Sequence, residues 1–522
     1  MILVPGTLYL LLVVLMFWVP TGSCSGIDVT NVTLGTLDAG TGTAPVTFDI
    51  SWNNSWRSTD SGAPAPNNWD AAWVFVKFRV NGGDWKHASL NDTGHSAPVG
   101  ASLDVGLADT GAAFNIATNP VVGAFIYRSA DGTGTFSKTG FSLNWKYSQD
   151  SVTTSDTIDV RIYAIEMVYI PDGAFFAGDN STGTGAFQQG STDTDPWYIE
   201  SESAITTANA AGSGTGVGET AAEYYYVTDD QTTDAATGTV FTIPAAFPKG
   251  YQKFYMMKGE ISQYQWLAFF NTLTATQKST RDITSATGKN SDSLTNRNNI
   301  SWTGSGDATL PDQGGGATYG PVAMTYLSWA DVAAYLDWAG LRPMSELEYE
   351  RAGRGPYRAV SGEYSWGTTS LTQATSISNG GTATESAQSG ANIVHGGPPP
   401  AGVFGPMRVG AIAYSKTTRT TAGAGYYGNV DLSGNAYERT ITVGNSGGRA
   451  FEGRYHGNGV LTSTGNANST TWPGTNASGT NYRGGAWDEY SVRARLSDRH
   501  YGGYTSTSRD RSFGGRGVRS AP

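Results

Sequence analysis

Across residues 27–165 apolar and polar side chains alternate with period two. Val46, Phe48, Ile50 and Trp52 share one face of an extended segment, and Thr47, Asp49 and Ser51 take the other. That spacing predicts a half-buried strand. Residues 73–80 alternate in the same way and then become apolar on both faces. Asn81, Gly82, Gly83 and Asp84 supply hairpin-turn chemistry before Trp85. Further strands are predicted at 125–128, 141–147 and 157–163. Strands at this spacing with Gly and Asp turns predict an all-β sandwich over 24–165. Trp52, Trp56, Trp69 and Trp73 crowd one part of it, as core packing or as a carbohydrate platform.

From Met167 the pattern changes. Residues 167–178 predict a strand that turns at Pro171, Asp172 and Gly173, and the Gly/Thr/Ser/Asp-rich stretch 180–240 predicts long loops. A strand at Phe254 leads into a helix capped by Ser262, with Tyr264, Leu267, Ala268 and Phe269 or Phe270 near helical spacing. Ser328 caps a second helix in an acidic variant of the capping box, with Asp331 at the third position. Val332, Tyr335, Leu336 and Trp338 face its core side, and Gly340 stops it. Ser345, with Glu348 three residues on, starts a third helix. The change of period predicts a separate α+β domain over 166–522.

Composition narrows the class. A chain of 522 residues carries two domains as a prior. Aromatic residues at 12% rule out a disordered chain, and 69 Gly with only 15% charged residues point to loop-rich extracellular architecture. The net charge of −11 argues against a nucleic-acid partner. The apolar run 8–19 has the length of a signal-peptide core and is too short to span a bilayer, so residues 1–23 are expected to be an export signal, although no Lys or Arg precedes the run. Cys24 is the only cysteine. It is either a small buried hydrophobe or, at the expected cleavage position, the lipidated residue of a bacterial lipoprotein held at the cell surface or outer membrane. Without the lipid, secretion is expected. Either way the mature chain has no disulfide.

The segments from Met167 to Arg519 resemble the formylglycine-generating enzyme, or sulfatase-modifying-factor, family. The family's opening Met-Val-x-Ile-Pro-x-Gly-x-Phe-x-x-Gly is matched at 167–178, and its Trp-x-Asp-Ala-x-x-Tyr helix at Trp329 to Tyr335. Its Trp-x-Gly-x-Arg turn is matched at Trp338 to Arg342. Ser345, Glu346, Glu348, Tyr349 and Glu350 resemble its Pro-Thr-Glu-x-Glu-Trp-Glu. Tyr364 to Gly367, then Gly428 to Glu438, then Arg483 to Trp487, Arg495, Arg499 and Phe513 to Arg516 resemble its later motifs in order. The resemblance implies that the N-terminal all-β sandwich, read from its alternation, is followed by an irregular α+β C-type-lectin-like (formylglycine-generating-enzyme-like) domain. It also implies structural Ca²⁺ at Asn435 and Glu438, since oxygen ligands on an irregular loop suit that ion. The alternative is that Asn435 satisfies its own loop.

Chemistry separates an enzyme from a binder. Oxidase members of the family hold copper with paired thiolates, which are soft ligands and nucleophiles, yet no Cys follows Cys24. The comparable region carries Tyr482, Arg493, Leu496 and Ser497. Iron members need three His, whereas His87, His95, His395, His456 and His500 are scattered and read as isolated surface residues. A non-enzyme with no catalytic cofactor is expected, and a formylglycine-generating or related sulfur/iron oxidase is the alternative.

Residues 481–522 hold eight Arg, no Lys and four acids, so this stretch is locally +4. Tyr, Ser, Asp and His between fixed-looking motifs compose a recognition surface; a solvated Gly-rich terminus is the other reading. Lectin-like members of the family also serve as variable proteins of diversity-generating retroelements, in which adenine-templated positions are rewritten. Asn, the product of adenine-rich codons, is absent after Asn481. The expected exchangeable, ligand-binding residues are Asp488, Tyr490, Ser491, Arg493, Asp498, His500, Tyr501, Tyr504, Ser508 and Asp510. Arg483, Trp487, Arg495 and Arg499 belong to the frame, with both Arg495 and Arg499 bonded to carbonyls or carboxylates. The expected partner is a protein or glycan at the cell surface, with the membrane touched only through a lipid anchor.

Overall fold

The computed structural model describes residues 26–59, 67–179, 185–189, 196–207, 224–225, 240–396, 405–416 and 418–522. The expected export signal, Cys24 and most of 180–240 lie outside them.

The chain opens with β1 (Asp28–Leu34), β2 (Ala44–Ser58), β3 (Asn68–Val80), β4 (Lys86–His87), β5 (Ala101–Leu107), β6 (Val121–Arg128), β7 (Gly132–Trp145) and β8 (Ile158–Ile170). β1, β2 and β7 pair antiparallel, and β5, β6, β3 and β8 form the facing layer. Ala44, Val46, Phe48, Ile50 and Trp52 of β2 alternate inward against Ala72, Val74, Val76 and Phe78 of β3. This is the period-two pattern of a packed pair of sheets.

β3 has two apolar faces because it walls two cores. Its odd-numbered residues Trp69, Ala71, Trp73 and Phe75 turn away from the sandwich and join the core of the C-terminal half. Trp73 Nε1 donates to the Ala339 carbonyl at 2.7 Å, and Trp69 Nε1 to the Tyr255 hydroxyl at 3.0 Å. Trp52 Nε1 donates to Asp70, which also accepts from Ser55 and the Trp56 amide. Trp52, Trp69 and Trp73 are therefore core residues.

The expected boundary at 165/166 falls inside β8. Beyond it the same sheet continues through the strands Phe254–Met257, Gly517–Ser520 and Arg342–Pro343. The end of the chain is thus an interior strand of a sheet that begins in the sandwich.

The helices are set by their caps. α1 (Gln263–Phe270), α2 (Ala275–Arg281), α3 (Trp329–Trp338) and α4 (Glu346–Arg354) each carry a complete capping box, from Ser262, Thr274, Ser328 and Ser345 respectively. α1 turns Trp266, Phe269 and Phe270 inward, while Tyr264, Leu267 and Ala268 are only half-buried. Of the residues expected at helical spacing only Phe269 and Phe270 are buried, and Trp266 joins them. α2 has no apolar stripe, so hydrophobic periodicity does not find it; its one sequence signal is Thr274 followed by Gln277. Among the described residues no helix is long and apolar enough to cross a membrane.

Candidate functional site

Two carboxylates of α4, Glu346 and Glu350, hold the C-terminal segment, and a third, Glu348, holds Arg342. Glu346, Glu348 and Glu350 are buried. Glu346 accepts from Arg499 Nε at 2.6 Å and Nη2 at 3.2 Å, from Asn481 Nδ2 at 3.1 Å, and from the Thr442 hydroxyl and Val443 amide at 2.9 Å each. Glu350 accepts from Arg483, from Arg354 Nη1 at 3.0 Å and from the Gly178 amide at 2.6 Å. Burial alone would raise the Glu350 pKa, but Arg483 and Arg354 outweigh it and hold the carboxyl below its ordinary value. Glu348 takes a bidentate pair from Arg342 at 2.7 and 2.9 Å. Arg516 is bound by Glu438, and Arg519 stacks 4.2 Å from the Trp73 ring. Half of the segment's arginines are thus interior groups, and the local +4 is not a basic surface.

On this frame sits a short three-stranded sheet. The strand Tyr437–Ile441 pairs antiparallel with Thr480–Arg483 and parallel with Phe513–Gly514. Cross-strand register sets Tyr482 opposite Arg439 and Phe513 opposite Tyr437, so the four side chains share one face. The Arg439 guanidinium lies 4.0 Å from the Tyr482 ring, and its Nη1 donates to the Ser506 carbonyl at 2.8 Å. Tyr501 and Tyr504 close over the group, with ring centroids 5.5 Å from Tyr437 and 6.0 Å from Tyr482 respectively.

These rings line a cavity of about 510 Å³ together with Tyr326, Asp488, Glu489, Arg509, Asp510 and Arg511. Arg509 is spent on Asp331, at 2.7 and 2.8 Å, and Arg511 on Asp488 at 2.8 Å. Burial raises the pKa of both Asp488 and Glu489. It also pushes the Tyr437 and Tyr482 phenols far up, so both remain neutral donors. The arrangement offers aromatic faces, neutral hydroxyls and a carboxylate rim. It is suited to holding a ligand.

Of the ten expected contact residues, the cavity gathers Asp488, Tyr501, Tyr504 and Asp510. Tyr490 is 78% exposed and stands on the surface beside it, before the 3-10 turn Ser491–Ala494. Ser508 and Asp510 are exposed, while Ser491, Arg493, Asp498 and His500 are half-buried. Asp498 pairs with Arg493 at 3.6 Å and accepts from the His500 amide. Those four are not among the cavity's described lining. Sequence reasoning missed Tyr326, Tyr437, Tyr482, Glu489, Arg509, Arg511 and Phe513 as lining groups. The only sequence signal was Tyr437, which stands where the resembling motif has Trp. Trp487 is buried, with Nε1 donating to the Arg511 carbonyl at 3.1 Å and its amide to the Asn435 carbonyl at 2.9 Å. Arg499 is bonded as expected. Arg495 is not: its buried Nε has no hydrogen-bond partner among the described residues.

The family model for the sulfatase-modifying factor enzyme 1-like domain matches residues 219–521, more than half of the chain. The chain belongs to this family. No curated protein matches it. The family match takes in α1 to α4, the three-stranded sheet and the cavity, and leaves 167–178 outside.

Two expectations about the family's metal chemistry meet the geometry here. Asn435 Oδ1 accepts from the Met407 amide at 2.8 Å and its Nδ2 donates to Glu260 at 2.6 Å. Both Glu438 oxygens face the Arg516 guanidinium. This donor set does not fit calcium, because a guanidinium already occupies the cation's place. The histidines are not all surface groups: His87 and His456 are buried, and burial lowers both pKa values well below the ordinary range. Among the described residues no group of three His, Cys, Asp or Glu could hold a metal ion.

Proposed function

We propose that this sulfatase-modifying-factor-like chain is an exported, surface-tethered binding protein. In this reading its second half has a C-type-lectin-like arrangement, its ligand site is the tyrosine-lined cavity with the neighbouring C-terminal surface, and it performs no catalysis. The observation that carries the reading is the separation of roles within 481–522. Arg483, Trp487, Arg499 and Arg516 are buried in the frame, while Asp488, Tyr490, Tyr501, Tyr504, Ser508 and Asp510 stand at or beside the cavity. Exchangeable residues on a fixed frame let affinity change without loss of folding. Diversification by a retroelement would use that separation.

The test is a screen of arrayed glycans and cell-surface proteins with the purified chain, repeated with Tyr490→Ala, Ser508→Ala and Asp510→Ala combined. These exposed substitutions are expected to shift stability by about 0.5 kcal/mol or less each and to remove the captured ligand. Unchanged capture sinks the assignment of the site. Family membership keeps an oxidase as the competing reading. Stoichiometric copper or iron with oxygen consumption on turnover would establish it. Tethering through Cys24 is tested by labelled palmitate, which should enter the wild type and not Cys24→Ala.

A further inference from the structure

We propose that the tyrosine cavity takes the side-chain cation of a lysine or arginine carried by a protein partner. The inference rests on the binding-site reading above and names the ligand's chemistry. Six aromatic residues, Tyr326, Tyr437, Tyr482, Tyr501, Tyr504 and Phe513, supply the walls. Ring faces carry negative potential and attract an organic cation. The charges of the lining do not cancel. Arg511 is neutralised by Asp488, and Arg509 is held by Asp331 with the Asp282 carbonyl. Arg281 shares Asp331, and the Asp282 carboxylate lies near enough to Arg509 to offset that second guanidinium. Outside the lining, Arg493 is paired with Asp498, and Arg439, with no ion pair among the described residues, lies behind Tyr482 and Phe513 and offsets one of the two remaining carboxylates. Glu489 and Asp510 are left lining the cavity with no ion pair among the described residues.

A second observation points the same way. Tyr437 is 3% exposed, and among the described residues its hydroxyl has no hydrogen-bond partner; nor has the buried Oδ1 of Asp488. Unpaired buried acceptors are costly and rare, and an ammonium or guanidinium is a donor suited to such oxygens. A protein partner fits better than a free amine because the surface beside Glu489 presents Tyr490 at 78% exposure and Val492 at 40%. An exposed aromatic next to a charged pocket is contact area that a small solute does not use.

The full chain labelled with fluorotyrosine is titrated with blocked lysine, blocked arginine, their neutral counterparts blocked norleucine and blocked citrulline, and blocked glutamate. Fluorine NMR lines are assigned by Tyr501→Phe and Tyr504→Phe. The expected result is that the cavity tyrosines shift and that a cationic probe binds about tenfold more tightly than its neutral counterpart. Glu489→Gln with Asp510→Asn should erase that preference while melting stays unchanged. The lysine and arginine arms tell the two cations apart. Equal binding of charged and neutral probes, or a preference for glutamate, overturns the proposal and leaves the cavity as a binding site for something else. Silence of the cavity tyrosines toward every probe overturns it too, and also removes the cavity from the binding-site reading.

Discussion

Arg499 and Glu346 meet at 2.6 Å with both side chains fully buried. Residues 153 positions apart are joined by it, which ties the start of α4 to the C-terminal segment. Breaking one partner of such a pair leaves an uncompensated interior charge, at a cost of roughly 3–5 kcal/mol. Arg499→Ala and Glu346→Ala are each expected to lower unfolding free energy by about that amount in chemical denaturation. Glu346 keeps Arg483, Asn481, Thr442 and Val443 when Arg499 is lost, so Arg499→Ala should be the milder of the two. A fully stable Glu346→Ala would mean that the pair does not hold the frame.

Trp487 is expected to be a frame residue despite lying next to the cavity-lining Asp488. Its ring packs with Met407, Ala411 and Ile412. The preceding Gly484 and Gly485 have φ of +92° and +69°, and a Cβ on Gly485 would lie 2.8 Å from the Ala494 amide, so the turn that delivers Trp487 demands glycine. Trp487→Ala should cost roughly 3–5 kcal/mol. A melting curve unchanged by the substitution would place the ring in solvent and make it a contact residue.

Much of the frame and little of the cavity was legible in the sequence. The caps at Ser262, Ser328 and Ser345 are local signals, since each hydrogen bond closes within a few residues. The sequence shows apolar residues on both faces toward the end of β3, yet nothing local says that a second face, from Trp69 to Phe75, packs on Trp338 and Tyr255. The cavity is assembled from Tyr437, Tyr482 and Phe513 by cross-strand register and from Tyr326 by its amide bond to the Asp510 carbonyl, neither of which is encoded locally. Alternation and composition also do not reveal which of the ten expected contact residues bond within the chain, as Asp498 does to Arg493 and to the His500 amide.

The pH dependence of stability should carry a mark of Asp337. Burial raises its pKa from 3.8 to about 6, although the Asn458 and Asn468 amides donate to it. The folded state therefore keeps a proton that the unfolded chain releases between pH 4 and 6. Stability from this group is complete below the unfolded pKa and falls as pH rises through the folded one, by about 3 kcal/mol in all. Asp337→Asn should be weaker at low pH, because one amide loses its acceptor, and should lose this part of the slope between pH 4 and 7. Parallel pH–stability curves for the two proteins would show that Asp337 does not titrate in that window.

The retroelement reading makes a prediction about DNA that the structure sharpens. A near-identical template repeat and a reverse transcriptase gene are expected beside the coding region, with repeat and coding copy differing at adenines. Rewriting survives selection only where a side chain can change without loss of the fold. The differing codons should therefore fall on Tyr490, Ser508 and Asp510, which are exposed, and on Asp488, Tyr501 and Tyr504, which line the cavity. They should spare Arg483, Trp487, Arg499 and Arg516, whose partners are buried. Tyr326 and Tyr437 line the same cavity from outside 481–522, so one wall stays constant while the other varies. Successive ligands would then share whatever chemistry the constant wall recognises. Sequencing the flanking DNA decides the matter. A missing template removes diversification, and differences concentrated on the buried arginines would remove the division between frame and contact surface.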